Sequence, residues 1–265
     1  MEDFMKNLRS VIAAFIISLG MMSDYTLPKS LIAPFRMQIP STRVLFCFPL
    51  CGALAGLAAL LPGVLVSIFF NHFAGALIFS LAGACWLYFK DSGRGLALLF
   101  SYFSSRLSGA PPAIALQHCD NRLSEVLKNP LIMMLCIISV ILVLGMLFAL
   151  FYRGAGVWFA AVAAADALVQ ARLCLEPDRN TALPFIRVAP GGERSLAFSA
   201  VLLAVVMLCI FPKVATLGAI VVLWVWFWRE LPGIEEFRSG LGSDWITMCG
   251  FWAALLTLLC GMGLL

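Results

Sequence analysis

Charged residues are scarce in this chain. They make up 12% of its 265 residues, while 62% are hydrophobic and the mean hydropathy is +1.00. A soluble domain carries about 25% charged residues, and one of this length could not hide so much apolar surface. Soluble enzymes and soluble binding modules are therefore excluded. Histidine is scarcer still. His72 and His118 are the only two, and neither sits in a Ser/His/Asp or zinc-ligand arrangement. There is no P-loop and no G-x-G-x-x-G, so the common phosphate-cradling loops are absent. No polar stretch is long enough to build a core of its own, so a single membrane domain over 1–265 is expected. No cleavable signal peptide is evident either. The first apolar run, 11–22, follows Lys6 and Arg9 but lacks a convincing small-residue cleavage site.

What the chain has in quantity is long apolar runs. The expected fold is all-α, a polytopic membrane helix bundle of about seven spans plus a short N-terminal interfacial or re-entrant helix. Residues 1–43 form a cytoplasmic or interfacial segment. The spans are expected at about 44–70, 73–89, 130–152, 156–171, 195–211, 214–228 and 245–265. Pro49 and the Pro62-Gly63 pair should bend the first of them. Residues 90–129 read as polar, interrupted by a short apolar run at 96–103.

Sidedness follows from the basic residues. Sixteen of the eighteen Lys and Arg fall on one side of these spans, leaving only Arg153 and Lys213 on the other. The positive-inside rule then puts the N-terminus in the cytoplasm and the chain in the cytoplasmic (inner) membrane. Spread over several loops, the net charge of +4 reads as an orientation signal and not as a nucleic-acid surface. The lipid bilayer is the expected partner, with homo-oligomers left open. The nine cysteines lie mostly inside apolar runs, where a thiol packs as a small hydrophobe. Cys47 and Cys51 share a helix face, but no His or Asp joins them.

Few residues remain that can carry chemistry. Asp91 lies in Phe89-Lys-Asp-Ser-Gly-Arg-Gly95, where the second span reaches the cytoplasm. A carboxylate beside glycines and a base can hold a cation and admit a phosphate; it can equally be a solvated span terminus. Arg122, Glu125 and Lys128 share the face of an amphipathic segment that either holds phosphates or coats a surface helix. Asp244 follows the Gly-rich turn Gly240-Leu-Gly-Ser. It either caps the last helix or shares a divalent ion with Asp91. Asp166 lies inside a span, with Arg172 near enough in sequence to pair with it, and is otherwise a coupling site for a small transporter. Gly52 and Gly56, spaced G-x-x-x-G, should let helices pack closely.

Four stretches resemble the adenosylcobinamide-GDP ribazoletransferase (cobalamin 5′-phosphate synthase) family. Ala14-Phe-Ile-Ile-Ser-Leu19 is similar to its A-F-x-F-L-T-R-L-P, without the Arg. Phe48-Pro-Leu-Cys-Gly-Ala-Leu-Ala-Gly56 fits F-P-L-x-G-x-x-x-G closely. Arg122-Leu-Ser-Glu-Val-Leu-Lys-Asn-Pro130 resembles R-M-L-E-I-M-R-D-S, and Ser239-Gly-Leu-Gly-Ser-Asp244 resembles G-G-x-T-G-D. The resemblance implies a Mg²⁺-dependent membrane transferase of late cobalamin biosynthesis. Such an enzyme joins GDP-activated cobinamide to α-ribazole or its 5′-phosphate and releases GMP. Its partners are corrinoid and nucleotide-type small molecules and other enzymes of cobalamin assembly. Asp91, Asp244 and Glu125 would hold the metal, with Asp91 and Asp244 catalytic. Arg94, Arg122, Lys128 and Glu125 would meet substrate and its phosphates. The family's acid cluster H-x-D-G-L-x-D-x-x-D-G is reduced here to Asp91. Phe89 stands for its His, Asn129 for an Asp, and Phe251 or Trp252 near its C-terminal Glu. A catalytically degraded relative that binds a corrinoid or a partner enzyme is therefore the alternative.

Overall fold

The computed structural model describes residues 10–18, 41–90, 93–110, 114, 128–174, 192–211, 218 and 244–263. Helix α1 covers 10–18. The others are α2 (Ser41–Phe69), α3 (His72–Phe89), α4 (Arg94–Leu107), α5 (Pro130–Tyr152), α6 (Trp158–Cys174), α7 (Gly192–Ile210) and α8 (Asp244–Met262). Among the described residues there is no strand. The expected span at 214–228 lies outside them, apart from Gly218.

Local sequence explains the boundaries. Asn71 caps α3, its side-chain oxygen accepting the Ala74 N–H at 2.7 Å. Asn129 does the same for α5, accepting the Leu131 N–H at 3.0 Å, with Pro130 in the first turn where its missing N–H costs nothing. Pro49 and Pro62 both lie within α2, which is one unbroken helix through them. The run at 96–103 belongs to a longer helix than its apolar residues indicate. In α4, residues 95–99 and Ser101 are buried, while Arg106 and Leu107 are exposed.

Two described helices are long and apolar enough to cross a membrane, Arg43–Phe69 and Pro130–Tyr152. His72–Tyr88, Arg194–Ile210 and Thr247–Met262 are shorter apolar helices. Ile68, Phe69, Ile141, Leu142, Phe198 and Val201 are each more than 60% exposed or at 60%. Apolar rows of this kind suit contact with lipid and not with water.

α6 is the axis of the bundle. It is rich in alanine, and Phe159, Val162, Ala163, Ala167 and Ala171 are fully buried. α2 runs antiparallel along it. A Cβ on Gly52 would stand 2.8 Å from the Ala167 Cβ, and one on Gly56 2.7 Å from both Ala160 Cα and Phe159 O. Backbone contact this close requires glycine, as the G-x-x-x-G spacing led us to expect. On the α7 side, Met207 and Leu203 pack with Ala53, Ala160 and Ala164. α1 places Ala14 against Val44, Phe48, Ala167 and Leu196, so three later helices cover it. Its Ser18 Oγ donates to Val44 O at 3.0 Å.

α2, α5, α7 and α8 run one way and α3 and α6 the other, which gathers their ends into two groups. At one end the His72 Nε2–H donates to Tyr152 O at 3.1 Å, since a carbonyl can only accept. Trp158 Nε1–H donates to Thr257 O at 2.9 Å, and the Trp158 ring meets Phe211 edge-on at 5.7 Å. Arg153 is the described cation here. Arg43, Lys90, Arg94, Lys128, Arg172 and Arg194 all belong to the opposite helix termini.

Gly56→Ala should lower stability by about 1–3 kcal/mol, because its new Cβ meets backbone that cannot yield. Gly145→Ala on α5, where a Cβ meets nothing within 4 Å, should melt like the unmodified protein. Thermal unfolding in detergent separates the two. Equal melting of both variants would show that α2 and α6 are farther apart than described.

Candidate functional site

Asp166 sits eight residues from each end of α6, so about 12 Å of helix lies on either side. It is fully buried. An unpaired carboxylate at such a place costs roughly 3 kcal/mol or more. Its partner is Lys90 at the C-terminus of α3. The ammonium donates to Asp166 Oδ2, and the two side chains are 5% and 1% exposed. Gln170, one turn on, donates from Nε2 to Asp166 Oδ1 at 3.0 Å. Lys90 Nζ also lies 5.0 Å from the centre of the Trp86 ring, within cation–π range. The fourth wall is α8. A Cβ added to Gly250 would collide with Asp166 Oδ1 and stand 2.9 Å from Gln170 Cγ.

The expected Asp166–Arg172 pair is thus replaced by Asp166–Lys90. Helix geometry explains why. Six residues turn the helix by 600°, which leaves Arg172 about 240° around from Asp166. Asp166 also lies deeper than one or two turns from the helix end. Lys90 was legible only as one more orientation charge. The usable signal was Trp86 one turn before it, an aromatic face on which an inward-turned ammonium can rest.

The residues proposed for chemistry belong to the other feature of this end. Gly93 has φ +76°, a left-handed conformation suited to glycine, and its N–H returns to Tyr88 O at 2.6 Å. This closes α3 and starts α4 at Arg94, which is exposed. α4 then reaches two further helices. Ala97 and Phe100 pack with Ile132 and Cys136 near the head of α5, and the Phe103 ring stands 5.0 Å from Trp252 on α8. Tyr88 meets Phe251 of α8 at 5.6 Å. The turn after α3, the start of α5 and the start of α8 therefore come to one end of the bundle. Lys128 is exposed just ahead of α5, and Asp244 is the first residue of α8. Asp91, Arg122 and Glu125 lie outside the described residues.

A divalent metal needs several oxygen or nitrogen donors gathered at one place. Among the described residues no group of three or more His, Cys, Asp or Glu could hold one. Among the described side chains Asp166 is the sole carboxylate, and both of its oxygens are engaged. Asn129 uses its side-chain oxygen to cap α5. Asn and Asp cap a helix about equally well, but the neutral amide is a poor ligand for Mg²⁺. Cys47 and Cys51 are buried among apolar neighbours, and the Cys51 thiol donates weakly to Phe15 O at 3.5 Å.

The chain matches no known family model, no curated protein and no solved structure.

Gly250→Ala should destabilise the bundle by about 1–3 kcal/mol by driving a methyl into the Asp166 carboxylate. Lys90→Met should cost more, about 3–5 kcal/mol, because it strands a buried charge. Chemical denaturation of the detergent-solubilised protein ranks the two. A Lys90→Met variant as stable as the unmodified protein would contradict the pair.

Proposed function

We propose that this chain is a membrane-embedded transferase of the ribazoletransferase kind. It joins GDP-activated cobinamide to α-ribazole or its 5′-phosphate and releases GMP. It crosses the cytoplasmic membrane about seven times with the N-terminus inside, and it works from the cytoplasmic face. The observation that carries this reading is convergence. Three of the stretches on which the chemistry depends are the turn around Asp91, the segment 122–130 and the segment 239–244. They are far apart in sequence, yet they adjoin helix termini that meet at one end of the bundle. That end also carries six of the described cations.

In this reading Asp91, Asp244 and Glu125 hold Mg²⁺, which would supply neutralisation of the pyrophosphate charge while a hydroxyl attacks. Arg94, Arg122 and Lys128 bind phosphate oxygens. Exposure of Arg94 and Lys128 suits that task.

A second reading, a relative that keeps the bundle and has lost turnover, draws on Lys90 and Asn129. Each stands beside the proposed site, and each is committed to structure. A transporter coupled through Asp166 is less well supported, because that carboxylate is fully buried with both oxygens engaged.

Mn²⁺ binding to the detergent-purified protein, with and without GDP, tests the first reading. Calorimetry should find a metal-binding heat in the unmodified protein that Asp91→Asn removes, and GDP-cobinamide with α-ribazole should then yield GMP. Identical titrations for the two proteins under both conditions would exclude a metal site at Asp91 and leave the second reading.

A further inference from the structure

The most unusual element of this bundle is its axis. α6 is absent from the helices that are apolar enough to cross a membrane and from the shorter apolar ones. Its residues are Ala-rich and include Asp166, Gln170 and Arg172. Even so, every described side chain from Trp158 to Arg172 is buried or half-buried, so α6 offers lipid no exposed side. A helix of this composition gains little by entering lipid alone, since alanine is nearly neutral there and an aspartate is strongly opposed.

Lys90 supplies what α6 lacks. A lysine at a span terminus ordinarily extends its ammonium toward water and headgroups. This one turns inward, is 6% exposed, and ends on the Asp166 carboxylate. Chain order completes the picture. α3 precedes α6, so Lys90 is already present when Asp166 emerges. α8 comes last, and its Gly250 closes over the pair from the remaining side.

We propose that Lys90 and Asp166 form an insertion lock: α6 crosses the membrane only by pairing its carboxylate with the lysine already delivered by α3. The inference rests on the membrane-spanning reading above and is independent of any catalysis. It predicts an asymmetry. Removing the lysine leaves a carboxylate with no partner and keeps α6 out. Removing the carboxylate makes α6 more apolar and frees Lys90 to reach the surface, so insertion persists.

Cell-free synthesis of the full chain with microsomes reads this directly. Ala182→Thr converts Asn180-Thr-Ala182 into an N-glycosylation acceptor in the segment that follows α6. That segment stays cytoplasmic, and unmodified, when α6 spans. In the Ala182→Thr background, carbonate-resistant chains should be glycosylated at a low level. Adding Lys90→Leu should raise that level at least about fivefold. Asp166→Leu alone should leave it low, and Lys90→Leu with Asp166→Leu should return it to low. The lock is overturned if Lys90→Leu leaves glycosylation unchanged, or if the double variant stays as high as Lys90→Leu. Heavy glycosylation of the Ala182→Thr chain itself would overturn the lock too, and would locate the error in the assignment of α6 as a span.

Discussion

A carboxylate cannot be left alone inside an apolar helix bundle, and much of the arrangement around α6 follows from meeting that constraint. Asp166 takes an ammonium from α3 and an amide from its own helix, and the backbone of α8 closes against it at Gly250. Each partner limits the next. Lys90 can reach inward only if α3 ends beside the middle of α6. α8 can pass over the carboxylate only where it has no side chain. The alanine surface of α6 and the glycines of α2 belong to the same solution. In lipid there is no gain from hiding apolar groups from water, so helices associate through close backbone contact and polar links. Here the two occur on adjacent faces of one helix.

The two ends of the bundle are built differently. One is closed by aromatic and hydrogen-bonded contacts: His72 on Tyr152, and Trp158 on Thr257 and Phe211. These hold the ends of α3, α5, α6, α7 and α8 together with few charged groups. The other end has the cations, the amphipathic α4 and the start of α8. Rigid closure at one end lets the other carry polar segments without loosening the helices. An active site built from such segments would need that support, because its groups would come from parts of the chain distant in sequence.

Much of this was legible in the residues. α5 runs from Pro130 to Tyr152 as expected, because an Asn-Pro start and a uniform apolar run mark it twice. Gly52 and Gly56 pack as their spacing implied. Pro49 and Pro62 lie inside α2, which continues as one helix through both, so neither ends the element. α4 was hidden because its apolar residues cover barely two turns, while its full length depends on packing against α5 and α8. The partner of Asp166 was hidden for a different reason. Nearness in sequence favoured Arg172, which the helical repeat puts on another face. Lys90 counted as a water-facing orientation charge, and the one local sign that it turns inward is Trp86, one turn before it. Asp91 and Glu125 themselves lie outside the described residues, and their candidacy comes from the sequence pattern.

The fate of those neighbouring residues bears on the chemistry. Lys90 is committed to Asp166, Gly93 to the turn, and Asn129 to the cap of α5. In the stretch that follows α3, Asp91 is then the one acid left free by composition to meet a metal. With Asp244 and Glu125 from the other two segments it would make a smaller acid set than the full cluster, and Mg²⁺ keeps most of its waters and is commonly bound by one or two carboxylates together with substrate phosphates. Such a site would hold the ion more firmly once a nucleotide is present, with the pyrophosphate oxygens filling positions that a larger acid cluster would otherwise occupy. Catalysis in such a site would depend more on the arginines and lysines that position the phosphates than on the carboxylates. Among the described residues, six of the eight arginines and lysines belong to that end.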